Sequence, residues 1–466
     1  MFYCRENELG KLNNRYVDNK FECVVIYGRR RVGKTALIKE FCNNKPVIFY
    51  SALNATSQEN LESLSRAIYE YMNPDLDGGD APIYPSYDAA LQEITELSKE
   101  NRLIFVIDEY PYLAKAEKSI SSRLQHIIDH VWQNSQLFLI LCGSSMSFME
   151  YQVLGYESPL YGRRTAQFKI EALKYREIAS FLPKISPEQL SLVYGITGGI
   201  PHYINKLSVK NDVDAALLEN LFDTSAYLFE EPENLLKQEL REPATYNSII
   251  TAIAGGASRS NEISTKVGIE SGKCAKYIQV LLDLGIIQKE TPLTEKPGRK
   301  TVYIIKDQFF RFWYRFIPRN MTAITSGRIE KVYDKVVKEH LHEHMRLTFE
   351  EICKEYLLYY ADDLPITLSG IGQWWGSDKN TRKEVQIDIV GKSADNNEYI
   401  IGSCKYRNEK IGVDELELIK YYASVFGKGS KYHYYIFSLG GFTKELLEYE
   451  KRGDVKLLTL DQLYLC

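Results

Sequence analysis

The segment Gly28-Arg-Arg-Arg-Val-Gly-Lys-Thr35 fits the phosphate-binding pattern G-x-x-x-x-G-K-[ST] at every fixed position. The apolar run at residues 23–27 predicts a buried strand, and residues 36–41 have the spacing of a helix. Glycines allow such a loop to turn its amide groups toward phosphate oxygens, and the helix dipole adds to that anion site. Lys34 is expected to reach the β- and γ-phosphates, and the Thr35 hydroxyl to bind Mg²⁺, which prefers oxygen ligands. The residues predicted to contact the nucleotide here are Gly28, Arg31, Val32, Gly33, Lys34, Thr35 and Ala36.

A second apolar run, RLIFVIDEY at residues 102–110, predicts a strand that ends in two acidic residues. Asp108 is expected to hold Mg²⁺ through water, and Glu109 to orient or deprotonate an attacking water molecule. An acidic strand end can also be an ordinary solvated surface feature. Because both motifs follow buried strands in the expected order, the pair predicts a site for a Mg²⁺-bound nucleoside triphosphate. Lys34, Asp108 and Glu109 are its predicted catalytic residues.

The composition limits the kinds of protein that this chain can be. Its 466 residues predict about two to four domains, and 44% hydrophobic with 26% charged residues is typical of a soluble globular chain. The net charge of −4 gives no global basic field, so any nucleic-acid surface must be local. We find no secretory signal at the start and no apolar run that approaches the roughly 20 residues of a membrane span. With eight scattered cysteines and no C-x-x-C pair, these features predict a cytoplasmic protein with reduced thiols and no membrane partner.

Further strands are predicted at residues 47–50 and 137–143, with helices between the strands. Alternation of strands and helices predicts an α/β fold with a parallel sheet and a phosphate site at the carboxyl ends of the strands. Ser144 and Ser145 follow the strand at 137–143. Either serine is a candidate sensor of the γ-phosphate, and the alternative is a helix N-cap, because Ser-Ser-Met-Ser favours a helix start.

Three other segments carry candidate nucleotide contacts. Arg5 lies in a polar helix before the first strand, either as a surface residue or near the nucleotide base. Arg163 and Arg164 are candidates for an arginine finger, in cis or in trans, and the alternative is a solvated basic turn. Pro201 belongs to a Gly/Pro-rich hinge at residues 195–203 that follows a small helical lid and brings backbone near the nucleotide base.

Six motifs in order resemble the archaeal-type ATPase family, on the AAA+/STAND side of the P-loop proteins. They are CRENEL (4–9), YGRRRVGKT (27–35), IDEYPY (107–112), GSS (143–145), YGRR (161–164) and GGIPHY (198–203). The resemblance covers about residues 1–230 and implies ATP rather than GTP. The chain contains no guanine-reading Asn-Lys-x-Asp sequence.

Residues 243–318 resemble a winged helix, with three short helices followed by a basic hairpin. The candidate contacts to DNA phosphates are Lys273, Lys276, Lys296, Arg299 and Lys300. In AAA+/STAND proteins this module often packs on the ATPase instead, so DNA binding and packing both remain open. The aromatic-rich residues 307–316 predict a packing helix, and the three histidines of residues 340–344 are predicted to be solvated.

The C-terminal part resembles the PD-(D/E)XK nucleases and the uncharacterised domain that accompanies archaeal-type ATPases. Asp388 and Lys405 lie on two predicted neighbouring strands, and Glu350 on a preceding helix is a possible second metal ligand. The usual Gly-Glu-Cys-Lys strand reads Gly-Ser-Cys-Lys here, so Ser403 puts a neutral hydroxyl where a carboxylate is expected. We therefore expect nuclease activity to be weak or absent, in a nucleic-acid or protein binding module derived from a nuclease.

The sequence thus predicts a P-loop core at residues 1–165, a helical lid at 166–242, a winged helix at 243–318 and a restriction-endonuclease-like α/β domain at 319–466. The predicted function is Mg²⁺-dependent ATP hydrolysis that is coupled to the later modules. One alternative is an ATP-driven DNA-processing factor with residual nuclease activity. The other is a slow-turnover signalling switch that binds a protein partner. Assembly with a partner or as a homo-oligomer also remains open.

Overall fold

The chain forms two compact units. The computed structural model describes residues 3–75, 81–210, 212–296, 298, 300–394 and 397–465. The first unit contains Met1–Ala172 and Ile200–His202, and the second contains Leu173–Gly199 and Tyr203–Cys466. The predicted boundaries at 165, 242 and 318 remain a prediction.

The first unit is built on a parallel five-stranded sheet with the order β2-β3-β4-β1-β5. Its strands are β1 Glu22–Tyr27, β2 Val47–Ser51, β3 Ile104–Asp108, β4 Phe138–Gly143 and β5 Ala166–Lys169. β4 therefore lies between the strand that precedes the phosphate-binding loop and the acidic strand. The predicted α/β P-loop fold with a parallel sheet is confirmed.

Both faces of this sheet are covered, which explains why its strands read as continuous apolar runs. Alternate residues of β1 enter opposite cores: Val25 packs in one cluster, and Val24 packs in the other. The helices of this unit are α1 Glu6–Val17, α2 Lys34–Cys42, α3 Ser57–Met72, α4 Tyr87–Glu100, α5 Tyr110–Ala116, α6 Ile120–His130 and α7 Met146–Phe148.

The second unit begins with the segment predicted as a lid. Its helices up to the aromatic-rich region are α8 Pro187–Thr197, α9 Pro201–Leu207, α10 Val213–Leu217, α11 Glu231–Glu239, α12 Pro243–Ala254, α13 Ser260–Val267, α14 Ser271–Asp283 and α15 Gln308–Phe316. Within the predicted helical lid, residues 172–182 are not an α-helix, because only Glu177–Ser180 form a short 3₁₀ turn. The amide groups of this stretch are taken up by other partners: that of Leu173 donates to the carbonyl oxygen of Gly199, and that of Tyr175 donates to the side chain of Glu355 on the later helix at Lys338–Tyr359.

Helices α12, α13 and α14 are followed by an antiparallel pair of strands, β6 Ile287–Glu290 and β7 Val302–Ile305. The aromatic side chains of α15 are buried, which confirms the predicted packing helix. Leu293, in the loop after β6, donates its amide to the carbonyl oxygen of Gln373 at 2.7 Å. This loop therefore packs on the sheet that ends the chain.

That last sheet is mixed, with the order β12-β11-β10-β9-β8. β8 and β10 are antiparallel to β9, whereas β10, β11 and β12 are parallel. Its strands are β8 Leu368–Ser377, β9 Glu384–Ser393, β10 Glu398–Lys405, β11 Lys431–Ser438 and β12 Lys456–Thr459. The remaining helices are α16 Met321–Thr325, α17 Ile329–Val332, α18 Lys338–Tyr359, α19 Val413–Phe426, α20 Lys444–Lys451 and α21 Leu460–Tyr464. Among the described residues, none of the helices combines the length and the apolar character that crossing a membrane requires.

The prediction that the three histidines of residues 340–344 are solvated is wrong for His344, which lies on the long helix α18. His344 is 2% exposed rather than solvated, and its Nε2 lies 3.5 Å from the carbonyl oxygen of Gly195. Burial lowers the pKa of His344 to about 3, and the charges of Arg311 and Arg315 act in the same direction. The error arose because the helix packs on α8, a contact between distant parts of the sequence.

We predict that Glu355 on α18 makes the second unit less stable as the pH rises. Its carboxylate accepts hydrogen bonds from Tyr194 Oη at 2.6 Å and from the amide of Tyr175 at 3.1 Å. Burial nevertheless raises the pKa of Glu355 from 4.5 to about 7. Because the folded pKa lies above the unfolded one, the folded state loses stability as the pH rises from 4.5 through about 7.

Thermal unfolding of Glu355→Gln and wild type should test this between pH 4.5 and 8. The Tm of the variant, relative to wild type, should rise across this interval, because glutamine has no charge to desolvate. Glu339→Gln, at the exposed start of α18, is the matched control and should follow wild type. A constant difference between Glu355→Gln and wild type would show that Glu355 titrates normally.

Candidate functional site

The phosphate-binding loop between β1 and α2 has the backbone geometry that its glycines predict. A Cβ atom at Gly28 would lie 2.2 Å from the carbonyl oxygen of Ile170, so only glycine fits there. Gly33 has φ 94°, a left-handed conformation that glycine adopts without strain, and Arg31 has φ 72°. The loop therefore depends on glycine at both fixed positions of the motif.

Lys34 begins α2 and is only 6% exposed. Its Nζ donates to the carbonyl oxygens of Gly28 and Arg29, each at 2.9 Å, so the ammonium group lies inside the loop. Burial lowers the pKa of Lys34, while the nearby charges of Glu109 and Asp108 act in the opposite direction. The lysine thus lies in the electrostatic field of both acidic residues of the second motif.

Thr35 and Asp108 join the two motifs directly. Thr35 Oγ1 donates to Asp108 Oδ2 at 2.9 Å, although the residues are 73 positions apart. Asp108 Oδ1 also accepts from the amide of Glu109 at 3.0 Å, and Asp108 is 6% exposed. The two side chains predicted to serve Mg²⁺ therefore meet at one edge of the sheet.

Glu109 is turned toward the end of β4. It has φ 52°, and its Oε2 accepts a hydrogen bond from Ser144 Oγ at 2.8 Å. Ser145 is the N-cap residue of α7, but its side chain makes no capping hydrogen bond. Ser144 thus contacts Glu109, the residue predicted to activate water. This contact does not test whether Ser144 or Ser145 senses the γ-phosphate.

Arg5 and Pro201 both belong to the first unit, although they are far apart in the sequence. Arg5 is 8% exposed, and its Nη2 donates to the carbonyl oxygen of Val32 in the phosphate-binding loop at 3.4 Å and to that of Glu171. Pro201 begins α9, and Ile200–His202 belong to the first unit although the residues on either side do not. Arg5 is therefore placed at the loop, and Pro201 in the same unit as the loop.

Arg163 and Arg164 contact residues outside the two motifs. Arg163 forms two hydrogen bonds with the Asp129 carboxylate, at 2.9 and 2.8 Å. These bonds hold the pKa of Asp129 below its ordinary value. Arg164 lies over the ring of Tyr161, with its guanidinium carbon 6.0 Å from the ring centroid. A finger role for Arg163 would require its ion pair to open, and that role stays a prediction for both arginines.

The C-terminal candidates also converge. Asp388 Oδ2 on β9 accepts a hydrogen bond from the amide of Cys404 on β10 at 2.9 Å. Burial, together with the charge of Asp388, raises the pKa of Glu350 to about 8. Burial also raises the pKa of Asp388, whereas Lys405 lowers it. Glu350, Asp388 and Lys405 therefore share one electrostatic environment.

The sequence did not point to Glu415 on α19, which contacts the same strand. Its Oε1 accepts from Ser403 Oγ at 2.7 Å and forms an ion pair with Lys405 Nζ at 3.2 Å. Glu415 is 5% exposed. The one indication of such a contact is that Glu415 lies on the buried side of α19, where a carboxylate needs a partner.

Comparisons with known proteins match both the N-terminal and the C-terminal part of the chain. A family model described as an ATPase domain predominantly from Archaea matches residues 2–207, and a model of archaeal and bacterial proteins of unknown function matches residues 313–416. An uncharacterized protein of Methanocaldococcus jannaschii is 33% identical over 443 residues, which are 91% of this chain and 95% of that protein. This chain belongs to the archaeal-type ATPase family.

Two further proteins are similar to parts of this archaeal-type ATPase. An uncharacterized ATP-binding protein of M. jannaschii is 49% identical over 47 residues, 10% of this chain and 80% of that protein. The Walker-type ATPase of Pyrococcus abyssi has a TM-score of 0.53 at 21% identity, covering 67% of this chain and 96% of its own. The second similarity shows a shared fold.

A contact in this ATPase that we did not predict joins the arginine-rich loop to the acidic motif. Arg30 Nη2 donates to the hydroxyl of Tyr112 at 2.6 Å. The run of three arginines at 29–31 was visible in the sequence, but the partner was not. The contact links the phosphate-binding loop to α5, directly after the acidic strand.

The lysines predicted to contact DNA have other neighbours. Lys300 forms an ion pair with Glu295 at 2.8 Å, and Lys273 lies over the ring of Tyr277. Lys276 and Lys296 are exposed, and Arg299 lies outside the described residues. DNA contact through these side chains remains a prediction.

Proposed function

We propose that this ATPase binds ATP with Mg²⁺ at the carboxyl edge of the parallel sheet and hydrolyses it there. The hydrogen bond of 2.9 Å between Thr35 Oγ1 and Asp108 Oδ2 is the observation that carries the proposal. It brings the hydroxyl of one motif and the carboxylate of the other to the same point. Membership of an ATPase family and the lack of a guanine-reading sequence favour ATP.

The donor set at this edge suits Mg²⁺, because a hydroxyl and a carboxylate are hard oxygen ligands. Thr35 and Asp108 would hold the ion. When bound, Mg²⁺ neutralises charge on the β- and γ-phosphate oxygens. The backbone amides of the loop and the start of α2 would receive the phosphates.

The other side chains of the site would each have a separate role in phosphate binding or water activation. Lys34 would exchange its two carbonyl partners for phosphate oxygens, which are stronger acceptors because they are charged. Glu109 would orient the attacking water and take its proton. Ser144 Oγ now donates to Glu109 Oε2 at 2.8 Å, so a contact of this hydroxyl with the γ-phosphate would release Glu109 toward the water.

A second candidate function concerns the C-terminal sheet, which we regard as a nuclease-like module that binds nucleic acid. The proximity of Glu350, Asp388 and Lys405 favours this function, because carboxylates and a lysine are the groups that metal-dependent phosphodiester chemistry uses. Ser403 favours weak or absent cleavage. The predicted winged helix, at residues 243–318, would add phosphate contacts.

ATP hydrolysis with and without DNA tests these proposals together. The full chain should hydrolyse ATP in the presence of Mg²⁺ and lose this activity in EDTA. Stimulation by duplex DNA would support a DNA-processing factor in which nucleotide state is coupled to the later modules. Retention of ADP through purification, with no effect of DNA, would support a signalling switch. The molecular mass of the protein in solution with a non-hydrolysable ATP analogue would then show whether the protein assembles.

Hydrolysis that persists in EDTA would contradict the role of Thr35 and Asp108 in holding Mg²⁺. An Asp108→Asn variant makes this comparison specific. It should lose most of the Mg²⁺-dependent rate because the amide oxygen carries no charge.

A further inference from the structure

We propose that an open cavity at the carboxyl end of α18 binds a small zwitterion, namely an α-amino acid with an apolar or aromatic side chain. The cavity has a volume of about 240 Å³. This is below the roughly 300 to 1,000 Å³ of pockets for drug-sized ligands, so the cavity suits a smaller molecule such as one amino acid. All of its lining residues belong to the second unit, so the inference does not depend on the ATP site of the first unit.

The positive side of the cavity is formed by Arg176 and Lys456. Arg176 Nε donates to the carbonyl oxygen of Leu463 at 2.7 Å, and its guanidinium carbon lies 4.3 Å from the centroid of the Tyr360 ring. These contacts fix the guanidinium group and leave its two terminal nitrogens without a hydrogen-bond partner among the described residues. Lys456 is exposed and forms no ion pair within the described part of the chain. A planar guanidinium group beside an ammonium group suits a carboxylate.

The negative side lies at the carboxyl end of α18, where Asp362 and Asp363 follow the C-cap residue Tyr360. Burial raises the pKa of Tyr356 in the cavity wall, and the charge of Arg176 lowers it. The charges of Asp362 and Asp363 raise the same pKa, so Tyr356 lies in the field of both signs of charge. Neither aspartate forms an ion pair with another described residue, and the end of the helix adds negative potential. This side therefore suits an ammonium group.

A buried tyrosine adds a hydrogen-bond donor to the positive side. Tyr435 on β11 is opposite Lys456 on β12 in the strand register, so the two side chains lie on the same face of the sheet. Tyr435 is 7% exposed and lines the cavity, yet its hydroxyl forms no hydrogen bond with another described residue. Burial raises the pKa of Tyr435 to about 12, so this hydroxyl keeps its proton. It can donate to a carboxylate that lies beside Lys456.

An amino acid satisfies both sides of the cavity at once. A simple anion would pair with Arg176 and Lys456 but would also face two aspartates, and a simple cation would meet the reverse arrangement. The side chain of the amino acid would lie against the rings of Tyr356 and Tyr360 and against Leu458, which is 6% exposed. The competing explanation is a water-filled cleft whose charges are solvated separately, so the test must measure binding itself.

Equilibrium dialysis of the full chain against a mixture of the standard L-amino acids provides this measurement. Mass spectrometry then shows how much of each amino acid the protein retains. We expect retention of at least one amino acid with an apolar or aromatic side chain. Retention of none, or only of amino acids with polar side chains, would overturn the inference.

Substitutions on the two sides locate the bound amino acid. Asp362→Asn combined with Asp363→Asn should weaken its binding by about 5- to 10-fold, because the charges that face its ammonium group are removed. Lys456→Gln should weaken binding by a similar factor, because it removes a charge that faces the carboxylate. Asp461→Asn and Lys451→Gln are the matched controls, since both residues are exposed and do not line the cavity. If the affinities of all these variants equal that of wild type, the amino acid binds elsewhere and the inference is wrong.

Two derivatives of the retained amino acid test the proposed orientation. Its N-acetyl form has no ammonium charge, so the double aspartate variant should bind this form as wild type does, while Lys456→Gln should still weaken its binding. Its amide has no carboxylate, so the pattern should be reversed. A misfolded variant cannot produce this exchange, because each variant would bind one derivative normally. If each variant weakened the parent amino acid and both derivatives equally, the charges would not recognise a zwitterion, and the inference would fail.

Discussion

Lys34→Ala is expected to abolish measurable ATP binding and to lower ATP hydrolysis by at least about 100-fold, the loss typical of removing one positioned electrostatic group. The lysine is the cation that the structure holds inside the phosphate-binding loop, 2.9 Å from the carbonyl oxygens of Gly28 and Arg29. Without it, the phosphates would lose the positive charge of this ammonium group. Binding is measured with a fluorescent ATP analogue, and hydrolysis by phosphate release.

Lys39→Ala is the matched control for this prediction. Lys39 lies on the same helix, α2, but is exposed and has its ammonium group over the ring of Phe49. Its loss should leave both measurements close to wild type. If Lys34→Ala bound ATP normally, the loop would not be the phosphate site, and the proposed role of Thr35 would fail as well.

The first unit was largely predictable because its signals are local. A buried strand, a glycine loop and a helix follow one another within residues 22–42, and each has its own pattern. The parallel sheet then places the ends of β1 and β3 at one edge. The contact between Thr35 and Asp108 is the geometric consequence, although the roles of these residues still await the experiments above.

The second unit was predicted less well because its contacts connect distant segments. The burial of His344 depends on α8. Its hydrogen bond to the carbonyl oxygen of Gly195 joins residues that are 149 positions apart. The contact of Glu415 with Ser403 spans 12 residues and a loop, which no strand pattern indicates. The sequence therefore shows that position 403 lacks an acid, but it carries no pattern that indicates a carboxylate from another element beside Ser403.

Glu109→Gln is expected to keep the affinity for ATP and to slow hydrolysis by about 100- to 10,000-fold, the range usual for loss of a general base. The phosphates and Mg²⁺ would be held by Lys34, Thr35 and Asp108, which this change does not touch. Glutamine keeps an oxygen that can accept the hydrogen bond from Ser144, now 2.8 Å from Glu109 Oε2, so the local structure should be retained. What it loses is the negative charge that attracts a proton from water.

Glu100→Gln, at the exposed end of α4, removes the same charge elsewhere and should hydrolyse ATP at the wild-type rate. Single-turnover measurements separate the chemical step from product release. A slow step in Glu109→Gln under these conditions would place the defect in water activation. An unchanged rate would instead leave Asp108 as the acid nearest the reaction, because it is the other carboxylate at this strand end and already accepts from Thr35.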